Sequence, residues 1–179
     1  PIVNDKDKTK EYDGTSMASV TIRIPDISLK PVVRNAIDNK TLGFDTTAVY
    51  QDNNNETSNV GSGYTIAYSY KLSGTAAHNF SLADAASDGS ITGTTTGGSI
   101  TAKKLTVSVA DLGLQTEKTY DGNASTNVNG KIITGDSGLT GIVGKEKVSA
   151  TVSCNYDSPA AGDRSITTTF GLSGDDSGN

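Results

Sequence analysis

The sequence predicts an all-β chain made of two tandem small β-sandwiches. Three observations predict it. The composition is that of turns and half-exposed strands, the apolar residues alternate with period two, and one set of short anchors occurs twice in the same order.

Of 179 residues, 24 are Thr, 20 Ser and 20 Gly, together over a third of the chain. Asp outnumbers Glu 16 to 4. Glu suits helices, whereas Asp caps turns, so this acidity belongs to loops and argues against a helical bundle or coiled coil. Apolar residues make up 34%, with seven Tyr, three Phe and no Trp. That is thin for one large core but enough for small sandwiches whose strands face water on one side.

The anchors define the repeat. Lys10-Glu11-Tyr12-Asp13-Gly14 returns as Lys118-Thr119-Tyr120-Asp121-Gly122, and Val20 returns as Val128. Leu72-Ser73-Gly74 returns as Leu172-Ser173-Gly174, with Asn79 and Asn179 each five residues beyond the Gly. The offsets are 108 and 100 residues, so the second copy is eight residues shorter between its anchors. Most of the extra length fits the polar stretch 52–59, read as a longer hairpin loop. The domains expected are 1–101 and 102–179, joined by a residue or two.

Each element follows in order. Val20, Ile22 and Ile24 alternate with Thr21 and Arg23 as a strand that Pro25 ends. Leu29 to Asn39 is the best helical stretch, weakened by Pro31 and the β-branched Val32-Val33. Tyr64, Ile66, Tyr68, Tyr70 and Leu72 share one strand face, which reads as core and not as a sugar-stacking platform. Two short strands fill the stretch from Phe80 to Thr101. Lys103 to Val109 reads as the first strand of the second copy. Val148, Ala150, Val152 and Cys154 form another period-2 face, which makes Cys154 a buried and inert thiol. Ile166, Thr168, Phe170 and Leu172 repeat the alternation of 66–72.

These anchors carry a resemblance. Lys-x-Tyr-Asp-Gly, a Gly-rich middle and Leu-Ser-Gly-x-x-x-x-Asn resemble the YDG repeat of bacterial surface proteins, as does the junction Ile100-Thr101-Ala102-Lys103-Lys104-Leu105-Thr106-Val107. Copy one continues through Asn79-Phe80, with Phe where that family has Tyr. The resemblance implies tandem Ig-like domains, with a β-grasp-like arrangement as the alternative. It also implies a tandem-repeat segment of a large adhesin-like, secreted or surface-anchored protein, and no reaction. Within the motif, Tyr12 and Tyr120 read as buried aromatics, and Asp13-Gly14 and Asp121-Gly122 as hairpin turns. The competing reading makes Asp13 and Asp121 metal ligands.

Catalytic chemistry finds little support. His78 is the single imidazole, stands opposite Gly178 in the other copy, and has no Gly-x-Ser-x-Gly elbow. No His or Cys pair has zinc spacing, no loop keeps EF-hand spacing, and the Gly-rich 94–98 lacks the phosphate-loop Lys. Catalytic residues, metal and cofactor are therefore expected to be none. One cysteine permits no internal disulfide. Net charge is −5 and the 15 Lys and Arg are scattered, so no nucleic-acid partner is expected. No apolar run approaches the roughly 18 residues of a membrane span, so no membrane insertion is expected either. Pro1 reads as a cut within a longer polypeptide. A Lys–Asn isopeptide bond, Lys10 with Asn79 and Lys118 with Asn179, matches in residue type alone.

The function expected is a non-enzymatic stalk or spacer on the bacterial cell surface, partnered by neighbouring repeats of its own polypeptide. The alternative is a module that binds a glycan or host protein. Copy two ends at the residue matching Asn79. It is therefore expected to be the less stable copy, or to be completed by a strand exchanged from a neighbouring subunit.

Overall fold

The computed structural model describes residues 8–22, 30–108 and 110–179. The chain divides into two compact units, residues 1–101 and 102–179. Strand is the dominant structure in both.

Unit 1 is one five-stranded sheet with a short helix, among the described residues. Its elements are β1 (Thr9–Glu11), α1 (Pro31–Asp38), β2 (Gly43–Asp52), β3 (Asn55–Glu56), β4 (Gly61–Ser73) and β5 (Ile91–Thr101). The order across the sheet is β1-β5-β4-β2-β3. β2 and β4 form a long antiparallel ladder, β5 runs antiparallel to β4, and β1 runs parallel to β5. Aromatic side chains dominate the core. Tyr50, Ile66 and Ile100 are fully buried, with Tyr12, Tyr64 and Tyr70 close behind. Tyr50 meets Tyr64 edge-on at 6.5 Å between centroids, and Phe44 meets Tyr70 edge-on at 5.9 Å. Each such ring buries on the order of 150–250 Å², so a few of them replace many aliphatic residues.

α1 begins with Pro31 in its first turn, where a missing N–H costs nothing. Leu29 lies outside the described residues, and the rest of the expected helix forms. The helix buries no residue. Its role is connection: the N–H groups of Thr41 and Leu42 both bond the Ala36 carbonyl, delivering Leu42 into the core.

Unit 2 contains β6 (Thr106–Val107), β7 (Ile132–Ile133), β8 (Leu139–Thr140), β9 (Ser149–Tyr156) and β10 (Ile166–Ser173). They form a three-stranded sheet, β10-β9-β7, and a two-stranded one, β6-β8. A single cluster joins the two sheets. Ile133, Ala150, Val152 and Cys154 from the first pack with Leu139 from the second, and Leu112 and Val128 fill the remainder.

Four expectations need correction. The stretch from Phe80 to Thr101 holds one strand, β5, among the described residues, and not two short ones. Residues 18–22 form no ladder; one isolated bridge, Met17 to Val49, holds the segment beside β2, while Arg23 to Pro25 lie outside the described residues. Alternation marks which side chains turn inward, and Val20 is indeed buried, but it does not supply a backbone partner. Of Lys103 to Val109, only Thr106 and Val107 pair with another strand, and Val109 lies outside the described residues. The stretch 52–59 is not one open loop. Asn53 and Asn54 adopt φ of 48° and 67°, a two-residue turn that pairs Asp52 with Asn55 and creates β3.

The hairpins of the two units share a register. In unit 1, Tyr50, Ala48, Thr46 and Phe44 face Ile66, Tyr68, Tyr70 and Leu72. In unit 2, Tyr156, Cys154, Val152 and Ala150 face Ile166, Thr168, Phe170 and Leu172. Every pair matches at constant offsets of 106 and 100. Six of the eight residues of length difference therefore lie between Tyr50 and Ile66, where β3 is inserted.

Candidate functional site

The motif that begins at Lys10 folds into a compact knot. The Lys10 ammonium donates to Asp13 Oδ1 at 2.6 Å, to the Thr15 carbonyl at 2.6 Å and to Thr15 Oγ1 at 3.1 Å. Asp13 Oδ1 also accepts from the Thr15 N–H at 2.9 Å and its hydroxyl at 2.8 Å. This is an Asx turn with a cation locked into it. Gly14 supplies the φ of 77° that the turn requires. The ammonium also lies 5.7 Å from the centroid of the Tyr50 ring, a cation–π position.

Unit 2 repeats the arrangement. The Lys118 ammonium donates to Asp121 Oδ1 at 2.8 Å, to the Asn123 carbonyl at 2.8 Å and to the Ser125 carbonyl at 3.0 Å. The Asn123 N–H donates to Asp121 Oδ1 at 3.1 Å, and Gly122 has a φ of 79°. Lys118 stands 5.6 Å over the Tyr156 ring. Tyr50 and Tyr156 occupy the same place in their hairpins.

The knot also works as a strap. In unit 1 the Tyr12 N–H bonds the Thr101 carbonyl on β5, and four residues later the Ser16 carbonyl accepts from the Tyr50 N–H on β2. The segment thus ties together β5 and β2, the two strands that flank β4, and it is not a β-hairpin turn as the Asp-Gly pair had suggested. In unit 2 the corresponding carbonyl, that of Ala124, accepts from the Tyr156 N–H.

The electrostatics suit structural ion pairs. Partial burial pushes the Asp13 carboxyl up, but hydrogen bonds from Lys10 and Thr15 outweigh it and hold its pKa down at about 2. Asp121 is likewise lowered, first by Lys118 and then by the Asn123 N–H. In each carboxylate Oδ1 is taken up by the lysine and a backbone amide. Among the described residues, no three His, Cys, Asp or Glu side chains converge on a point.

The Leu-Ser-Gly motif has a steric cause. Gly74 and Gly174 have φ of 94° and 114°. A β-carbon on Gly74 would lie 2.5 Å from the Thr41 carbonyl oxygen, and one on Gly174 would strike the Lys147 carbonyl. Both glycines close the hairpin against the residues that lead into its first strand.

Other candidates are placed as follows. Tyr12 is buried at 5% exposure, but Tyr120 is 68% exposed. The expectation of a buried Tyr120 fails because no strand runs beside it as β5 runs beside Tyr12. Cys154 is fully buried, its Sγ 3.0 Å from Thr168 Oγ1 across the ladder. His78 is exposed, in a short 3₁₀ turn over Ala77–Asn79. The hydrogen bonds of Lys10 and Lys118 go to the knot residues above, and not to Asn79 or Asn179. Sequence reading passed over Thr15 and Asn123, although each stands two residues past its Asp, where an Asx turn finds its donor.

The family model of the YDG domain matches residues 101–179. Residues 101–179 are a YDG domain. The matched residues include the Lys118–Asp121 knot and the β9–β10 hairpin. No curated protein and no solved structure matches the chain.

Proposed function

We propose that the chain is a non-enzymatic structural segment, a spacer, of an extracellular adhesin-like or fibre-forming protein at a bacterial surface. In this reading residues 1–101 and 102–179 are two copies of one domain. The observation that carries it is the doubled knot. Lys10 with Asp13 and Lys118 with Asp121, the groups that look most like chemistry, spend their hydrogen bonds on holding the backbone. The shared hairpin register, the paired Gly74 and Gly174, and the direct junction at Thr101-Ala102 support the same reading. Small domains joined without a flexible tether form a linear stack whose length grows by repetition.

For the finer fold, the two sheets of unit 2 around one cluster favour a small Ig-like sandwich. The parallel β1–β5 pair of unit 1, with a helix between β1 and β2, favours the β-grasp-like alternative for the complete copy. Both readings keep the knot and the hairpin.

The second functional reading is direct binding of a glycan or host protein, favoured by the exposed ring of Tyr120. Spin labels at exposed His78 and Asp136, one in each unit, test the first; buried Cys154 will not take the label. A single narrow inter-label distance is expected of a spacer. A broad distribution overturns it, and saturable capture on a glycan array that Tyr120→Ala abolishes moves the assignment to binding.

A further inference from the structure

We propose that unit 2 is an acceptor for an added β-strand of the β5 type, seated between the Glu117–Thr119 segment and the outer edge of β10. The proposal rests on the two-copy reading and goes beyond it to the strand that fills an open sheet position.

Unit 1 shows what such a strand does. β5 lies between β1 and β4, with Ser99, Ile100 and Thr101 parallel to Thr9, Lys10 and Glu11. Its Gly98 faces Tyr64, and its backbone crosses the Tyr50 ring so closely that a β-carbon would lie 3.1 Å from the ring. Ile100 is 1% exposed, and Tyr12 and Tyr70 are 5% exposed beneath the same cover.

In unit 2 both flanking edges stand open. β10 pairs with β9 on one side, and among the described residues no strand pairs with its other edge. The segment 117–119, counterpart of β1, belongs to no ladder. A cavity of about 560 Å³ lies between the 117–120 segment and the stretch 158–164 that leads into β10. Glu117, Lys118 and Tyr120 form one wall, Gly162 and Arg164 the other, and Tyr156 contributes to its surface. Gly162 and Arg164 immediately precede β10 as Ser62 and Tyr64 stand at the start of the matching part of β4, so the cavity occupies the place of the C-terminal end of β5. The side chains that the strand would cover are bare: Tyr120 is 68% exposed, Leu172 52% and Phe170 39%.

An open edge on each side fixes the occupant as extended backbone, parallel to 117–119 and antiparallel to β10. Tyr156, standing where Tyr50 stands, requires glycine opposite it. Two residues further on an apolar side chain is needed, as Ile100 is in unit 1. The occupant is therefore a Gly- and Thr-rich strand with the pattern of Ile91–Thr101, eleven residues long in unit 1.

The test is a titration of the isotope-labelled full chain with a synthetic peptide of sequence Ile91–Thr101, followed by amide NMR. Saturable shifts are expected at Lys118–Tyr120 and along β10, with unit 1 unmoved. Peptides carrying Gly98→Val or Ile100→Asp should bind at least about tenfold more weakly, a 1.4 kcal/mol difference. Equal binding of all three peptides, shifts confined to unit 1, or no saturable shift overturns the acceptor site. Lys10→Met and Lys118→Met separate the two failures. If each destabilises its own unit while the peptide does not bind, the acceptor falls and the two copies stand; if they act differently as well, both fall.

Discussion

Gly74 lies against Thr41 with no room for a side chain, the Thr41 carbonyl oxygen being 2.5 Å from where a β-carbon would sit. Gly174 stands in the same relation to Lys147. Gly74→Ala and Gly174→Ala combine a positive φ with a backbone clash and should each cost about 2–4 kcal/mol of their unit's stability. Gly63, with φ of 79° and open space around it, is the control. Gly63→Ala should cost about 1 kcal/mol, the backbone effect alone. Urea unfolding followed by tyrosine fluorescence measures all three.

Lys10→Met keeps the aliphatic stem over Tyr50 and removes the charge. Asp13 then keeps its Thr15 bonds, but the Thr15 carbonyl loses a donor. Because the Asp13 side chain is 54% exposed, solvent screens the ion pair. The expected loss is about 1–2 kcal/mol. A double-mutant cycle with Asp13→Asn should show positive coupling, and its absence would remove the cation from the knot.

Acid should loosen both knots. Asp13 titrates at about 2 when folded, against 3.8 for the free side chain. A depressed folded pKa means the stabilisation is complete above about pH 4 and is lost as pH falls toward 2. Asp121 is lowered too, with the same sign. Melting temperature measured between pH 5 and pH 2 should fall less steeply in Asp13→Asn than in the parent chain.

Cys154 should behave as a core residue. A thiol reagent should leave the native chain unmodified and take one equivalent in denaturant, since access governs reactivity at a fully buried site. Cys154→Ser keeps Thr168 Oγ1 within reach but replaces an apolar thiol of the core cluster with a hydroxyl, and should cost about 1–2 kcal/mol. Rapid native labelling would contradict the packing described.

Side-chain facing was legible in the sequence, and backbone pairing was not. The row Val148, Ala150, Val152, Cys154 is buried as its alternation requires, because period two places those residues on one face. Tyr70 and Ile66 follow the same rule, whereas Phe170 and Leu172, in the matching row of β10 and read as core, are exposed. Pairing depends on which strand lies alongside, and that is not local information. Val20 turns inward without a ladder, and Tyr120, identical in motif to Tyr12, stays exposed because among the described residues no strand runs beside it. Within the knot, Lys, Asp and Gly were visible as anchors. Their third partner was obscured because Thr15 and Asn123 differ in type while making the same backbone bond.

The parallel pairing of β1 with β5 decides how unit 1 would bear load. One strand opens the unit and the other closes it, and they lie side by side in the same direction. Pulling the chain from both ends drags them past each other lengthwise, so the Thr9–Ser99, Lys10–Ile100 and Glu11–Thr101 connections resist shear together and do not unzip one by one. The strap from Tyr12 to Thr101 adds a further bond in the same line. Tension then meets the unit where its hydrogen bonds act in concert, the geometry a tether under flow would need.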